Sequence, residues 1–368
     1  MRFAYFAHSI LSDWNNGNAH FQRGVLRELV HAGHEVRAFE PVDGWSRTNL
    51  LDERGDHFID RFKAQFPELT VTEYQLASLD LDRALDGVDV AIVHEWNPPE
   101  LIARLGQKRI GGGRFKLFFH DTHHRSATDP DAMSVYELEG YDGVLAFGEA
   151  VRQNYLKRGW SRRVWTWHEA ADTRLFKPIQ SDERWGEVVW IGNWGDDERT
   201  QELQEFFFEP VKALRLRAQM RGVRVPVEGL AALKQAGIRY GGWVANSEVP
   251  ELFARFAFTI HIPRRPYRET LPGIPTIRVF EALACGIPLI SAPWNDTERL
   301  FRPEDYLLAA DGFAMRQMMR DLLCDPHLAR RLAKNGLETV RTKHSCRHRA
   351  EELLTICEGL DVRPRSAA

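Results

Sequence analysis

Cysteine is scarce. The 368 residues hold four, Cys285, Cys324, Cys346 and Cys357, and no two are spaced as C-x-x-C. That excludes a paired-cysteine zinc site, and the low count predicts reduced thiols. An excess of one charge is also lacking: 49 Lys and Arg against 52 Asp and Glu leave a net charge of −3. No general field then favours nucleic acid or an anionic membrane as partner. The opening RFAYFAHS turns polar too soon for a signal peptide or a spanning helix. The expectation is a cytoplasmic protein with no integral membrane segment. Internal repeats, low-complexity tracts, coiled-coil heptads and a G-x-G-x-x-G phosphate loop are absent too.

What remains is an ordinary globular composition, 43% hydrophobic and 27% charged, with length enough for two cores. Short apolar runs alternate with amphipathic segments. In the first half the strand-like runs are Phe3–Ala7, Glu35–Phe39, Val88–His94, Lys116–His120, Gly143–Ala146 and Val164–Trp167. Between the first two, Phe21, Val25, Leu26 and Leu29 follow helical spacing over 19–32, and Gly33 supplies the stop. Periodicity fades from Glu169 to Gly186, which reads as a linker. The pattern then restarts, with strands expected at Val188–Ile191, Val223–Val225, Ile238–Tyr240, Thr259–Ile262, Ile287–Ile290 and Tyr306–Ala309. Such alternation predicts an α/β protein of two Rossmann-like, doubly wound parallel domains facing a central cleft. The expected domains are 1–168 and 187–345, with a linker at 169–186. A final helix at 346–360 is expected to cross back to the first domain, and 361–368 to form a frayed tail.

One stretch carries chemistry. TIRVFEALACGIPLIS, Thr276 to Ser291, reads as a helix start, a buried helix face, a Cys-Gly stop and a returning strand. A helix N-terminus with a nearby arginine suits a diphosphate. A carboxylate one turn further in suits sugar hydroxyls. In the first half, Asn15-Asn16-Gly17-Asn18 forms a polar turn after the first strand, with His20 in the following helical turn. His120, Asp121, His123 and His124 end another strand and invite acid–base or acceptor-binding roles, or more remotely a metal. His94 and Glu95 end a further strand. Asp80-Leu81-Asp82 matches D-x-D by letter and reads as helix capping.

These residues resemble a known family. VVWIGNW at Val188, the Gly241-Gly242-Trp243-Val244 turn, IHIP at Ile260, RVFEALACGIPLIS at Arg278 and LLCDPHLARRLAKNGLETV at Leu322 are similar, in this order, to glycosyltransferases of the GT-B fold. The likeness is greatest to the CgeB-like group of "glycosyl transferases group 1". It implies that Glu281 takes the donor ribose and that Thr276 and Ile277 offer backbone N–H groups to the diphosphate. Arg278, or Arg199 in the IGNWGDDER loop, would neutralise that diphosphate, with Arg264 and Arg265 as further candidates. Gly242, Trp243 and Val244 would flank the base. Asn16, Gly17 and Asn18 would line the acceptor side, with His120, Asp121 and His20 as catalytic candidates. One departure stands out. Related retaining enzymes carry a second glutamate eight residues before the helix glutamate, and that position is Gly273 here; its backbone can still approach a sugar closely.

The implied activity is metal-independent transfer of a hexose-like sugar from a nucleotide-sugar, which is a substrate and not a cofactor. The acceptor, whether sugar, lipid, small molecule or protein, is not specified by these residues, and retention of the anomeric configuration is favoured. The alternatives are a nucleotide-sugar 2-epimerase and a non-catalytic sugar- or nucleotide-binding module.

Overall fold

The structure is a computed structural model that describes residues 1–195 and 198–361. Asp196 and Asp197 of the IGNWGDDER loop lie outside the described residues, as does the expected tail from 362 onward. The chain forms two compact units. Unit 1 comprises Met1–His168 with the C-terminal helix from Cys346, and unit 2 comprises Glu169–Ser345.

Unit 1 is built on seven strands: β1 Arg2–Phe6, β2 Glu35–Pro41, β3 Thr70–Tyr74, β4 Val90–His94, β5 Lys116–Asp121, β6 Gly143–Ala146 and β7 Val164–Thr166. Among the described residues they pair in the order β3-β2-β1-β4-β5-β6-β7, all in parallel. The central strands are apolar and buried on both faces; Val90, Ala91, Ile92 and Val93 are at most 1% exposed. That double burial is why they read as continuous hydrophobic runs. The helix Asn18–His31 buries Phe21, Val25, Leu26 and Leu29, and Gly33 takes the left-handed φ of 86° just beyond it. The last helix, Cys346–Asp361, packs against it, and Trp167 Nε1 donates to Arg349 O at 2.9 Å.

Unit 2 holds β8 Gly186–Ile191, β9 Ala218–Arg221, β10 Ile238–Tyr240, β11 Phe256–His261, β12 Leu289–Ser291 and β13 Leu307–Leu308. Their order is β10-β9-β8-β11-β12-β13, again all parallel. Each sheet reverses strand order once, between β1 and β4 and between β8 and β11. Ligands of doubly wound sheets bind beyond the strand C-termini at such reversals.

One expectation is corrected, and one strand was not foreseen. The strand predicted at Val223–Val225 lies earlier, at Ala218–Arg221, where Gln219 and Arg221 break the apolar run; 223–225 is irregular. Edge strand β3, TVTEY, has a half-polar pattern that gives no buried-strand signal. Asp80 is an N-cap, accepting from the N–H groups of Asp82 and Arg83 at 3.0 and 3.1 Å. Among the described residues, no helix is long and apolar enough to cross a membrane.

Candidate active site

At the strand reversal of unit 2, the loop after β8 meets the loop after β11. Arg199 is 8% exposed. Its guanidinium lies 5.5 Å over the Trp190 ring, Nη1 donates to Asn193 O at 2.9 Å, and Nε has no partner among the described residues. Its side chain and that of Arg264 both flank Gly195, where an added Cβ would sit 3.6 Å from Arg199 Cγ and 3.7 Å from Arg264 Cγ. Burial first, and the Arg264 charge second, lower the Arg199 pKa to about 9. Arg264 and Arg265 are held by carboxylates, Glu198 and Glu202 respectively. Among the described residues, the desolvated cation at this reversal is therefore Arg199.

His261 ends β11 and bridges to the helix start. Ser291 Oγ donates to Ala292 O at 2.7 Å, so His261 Nδ1 must donate to Ser291 Oγ at 2.8 Å. Nε2 then accepts from Thr276 Oγ1 at 3.2 Å. Burial lowers the imidazole pKa to about 3, which keeps it neutral in this role. Thr276 takes a φ of 61°, unusual for a β-branched residue. Helix Ile277–Ala284 starts directly after it, and the first-turn N–H groups of any helix lack intrahelical acceptors. His261 was not singled out by its residue type alone; its position at the end of a strand beside the reversal is the signal that finds it.

Within that helix Glu281 is fully buried and forms an ion pair with Arg278, whose side chain is 24% exposed. The arginine expected at the diphosphate is thus the lid on the carboxylate expected at the ribose. Gly273 shows why the second glutamate is absent from its usual position. Its φ is +93°, and a Cβ there would lie 2.6 Å from Glu298 Oε1. A carboxylate already occupies that space, delivered from a later loop. The backbone at the ends of β8, β9 and β10 is drawn together by glycines. Gly192 N donates to Arg221 O and Gly222 N to Gly242 O, each at 2.9 Å. A Cβ on Gly222 would fall 1.8 Å from Gly192 O. Trp243 and Val244 are buried, at 4% and 7% exposure, so this turn presents Gly242 main chain and not indole.

In unit 1 the loops after β1, β4 and β5 converge. Asn18 Nδ2 donates to Thr122 Oγ1 at 2.9 Å, and His94 Nε2 lies 3.0 Å from the same hydroxyl. Asn16 accepts from Asn18 N at 3.1 Å, which orders the turn around Gly17. Glu95 Oε1 accepts from Thr122 N at 2.9 Å and Oε2 from Arg125 Nη2 at 2.6 Å. Asp121 accepts from His123 N at 2.9 Å and from Tyr155 OH at 2.7 Å. Burial, reinforced by Asp121, pushes the Glu95 pKa up to about 8; burial raises that of Asp121 as well. A proton is thereby retained in this carboxyl pair at neutral pH.

The acid–base candidates His20, His120 and Asp121 are all buried, at 0%, 0% and 1% exposure. His120 sits among Phe21, His94 and Trp167, with ring centroids 6.0, 5.3 and 4.9 Å away. Tyr5 OH lies 2.9 Å from its Nδ1, and burial lowers its pKa to about 3. His20 Nδ1 is 2.8 Å from Gly17 O. His20 and Asp121 reach loop backbone, at Gly17 O and His123 N. Among the described residues, no group of three His, Cys, Asp or Glu side chains is placed to hold a metal ion.

Residues 199–355 match the family model described as "Glycosyl transferase-like". No curated protein matches the chain. Solved structures are similar over nearly the whole length. Sucrose-phosphate synthase from Thermosynechococcus elongatus is 16% identical with a TM-score of 0.64, covering 98% of this chain and 99% of that one. An alpha-glucosyltransferase in complex with UDP and a 13-mer DNA containing a HMU base gives 15% and 0.72, covering 97% and 99%. Anabaena Alr3699/HepE in complex with UDP-glucose gives 13% and 0.67, covering 98% and 100%. The two-sheet architecture is the one these proteins share.

Proposed function

We propose that this chain, a glycosyltransferase of the GT-B fold, holds its nucleotide-sugar donor in unit 2 and its acceptor in unit 1. The boundaries suggested by sequence, 1–168 for the acceptor domain and 187–345 for the donor domain, belong to this proposal. The observation that carries the donor site is Arg199, a buried cation at the strand reversal whose charge is poorly accommodated until an anion arrives. A departing diphosphate is such an anion. Arg199 and the first-turn N–H groups at Thr276 and Ile277 neutralise it as the anomeric bond breaks. His261 fixes the Thr276 hydroxyl. Glu281 receives the ribose hydroxyls once Arg278 swings off it, and Arg278 then adds to the neutralising charge. Gly242 main chain flanks the base. Glu298, seated against Gly273, supplies the sugar-binding carboxylate. The solved structures with UDP or UDP-glucose bound support a uridine nucleotide.

Arginine and helix dipoles replace a metal in this scheme, and the reaction takes place in the cytoplasm. The burial of His20, His120 and Asp121 supports a retaining path in which the leaving diphosphate accepts the acceptor proton, because no base from unit 1 then has to touch the acceptor. The test is donor hydrolysis without acceptor. Release of UDP from a UDP-sugar, undiminished by EDTA, with retained anomeric configuration by NMR, is expected. UDP binding without any release indicates a binding module instead. Activity abolished by EDTA and restored by magnesium refutes metal independence.

A further inference from the structure

The strand reversal of unit 1 carries an aromatic rim that none of the roles above uses. His8 follows β1, Trp45 opens the helix Trp45–Arg54 after β2, Trp96 follows β4 and His123 follows β5. All four strands are parallel neighbours, so these residues gather at one edge of the sheet, where such folds take their ligands. Trp45 and Trp96 are 40% and 39% exposed, high values for indoles. His8 contacts both, with centroids 5.6 Å from Trp45 and 6.5 Å from Trp96. Trp14 meets Trp45 edge-on at 5.6 Å, and His123 meets Trp96 edge-on at 4.9 Å.

Each position is braced from behind. Trp14 Nε1 donates to Glu53 at 2.7 Å. Arg125 covers one face of Trp96 from 4.7 Å and is itself held by Glu95. His8 is different. It is 6% exposed, yet among the described residues its Nε2 has no hydrogen-bond partner, and burial lowers its pKa to about 4, so the ring is neutral near pH 7. A buried, unpaired imidazole nitrogen between two exposed indoles asks for a ligand that is apolar on a flat face and carries hydroxyls at its edge.

We propose that Trp45, Trp96 and His8 form the acceptor site and that the acceptor is a saccharide. The C–H face of a pyranose lies on the indoles while a ring hydroxyl meets His8 Nε2. This rests on the glycosyl-transfer reading and names its acceptor class. A nucleic acid fits poorly, because the nearby arginines are engaged: Arg47 with Glu73 and Glu40, Arg125 with Glu95. Neither of these two arginines is left over for a phosphate backbone. An acyl chain leaves the His8 nitrogen unmet.

The test uses the full chain with UDP and with three neutral probes, cellotriose, maltotriose and chitotriose, followed by saturation-transfer NMR and tryptophan fluorescence. At least one trisaccharide is expected to bind in the millimolar range and to receive sugar from a UDP-sugar. Trp45→Ala, Trp96→Ala and His8→Leu should each weaken that binding at least tenfold, with UDP affinity within twofold of wild type as the control for folding. Wild type that binds UDP but none of the three at tens of millimolar overturns the saccharide assignment, as does tight binding of a 13-mer DNA or a fatty-acyl probe in their place. Wild type that fails to bind UDP overturns the glycosyltransferase reading instead.

Discussion

Replacing Arg199 by methionine separates a functional cation from a structural one, because the two readings predict opposite signs for stability. The side chain keeps its bulk over Trp190 and loses its charge. The pKa near 9 in place of 12.5 corresponds to a penalty on the order of 5 kcal/mol for the buried charge in the ligand-free protein. Arginine does not shed its proton in practice, so that penalty is carried in full at pH 7. Set against it are the ring contact with Trp190 and the hydrogen bond to Asn193 O, about 1 kcal/mol each. Arg199→Met should therefore gain roughly 2–3 kcal/mol in urea unfolding. UDP binding, measured by calorimetry, should fall by the value of a charged hydrogen bond, about 1.5–3 kcal/mol, or roughly 10- to 150-fold. A variant that loses more than about 1 kcal/mol of stability and binds UDP within twofold of wild type refutes the argument.

Glu281→Gln should weaken UDP binding by about 1–3 kcal/mol through loss of a charged acceptor, and unchanged calorimetric affinity in a folded variant removes Glu281 from the ribose site. Gly273→Ala forces a Cβ onto the Glu298 carboxylate at positive φ and should destabilise by roughly 1–3 kcal/mol in urea melts; a neutral result contradicts the close approach of Glu298. Glu95, held near pKa 8 against an ordinary 4.5 by burial and by Asp121, contributes stability that is complete below about pH 4.5 and lost as pH rises through about 8. The stability difference between wild type and Glu95→Gln should therefore fall across that window, and parallel pH profiles refute the raised pKa.

The strands buried on both faces were legible because their composition has one cause. Val90–Val93 and Phe118–Phe119 meet helices above and below, so every position is apolar. β9 and β3 were not legible, since Gln219, Arg221, Thr70 and Thr72 answer to local neighbours and to a sheet edge. The helix at Ile277 announced itself through Gly273, Pro275 and the apolar spacing after Thr276. Glu298 did not, because its place beside Gly273 depends on where a separate loop returns. The Glu95–Asp121 pair is hidden for the same reason. Only the parallel register that sets His94 opposite His120 brings the next carboxyls together, and burial, which sequence does not report residue by residue, sets their pKa values.

The helix Cys346–Asp361 has a consequence for the order of synthesis. Unit 2 is one uninterrupted segment, whereas unit 1 is assembled from both ends of the chain. The face of helix Asn18–His31 and the indole of Trp167 wait for helix Cys346–Asp361 and its Arg349 carbonyl, which are translated after the whole of unit 2. On the ribosome the second unit can close first, while the first remains an open sheet with an uncovered apolar helix. Nascent chains arrested before Cys346 should therefore show a protease-resistant unit 2 and a unit 1 that engages chaperones, a division of labour written by the position of a single helix.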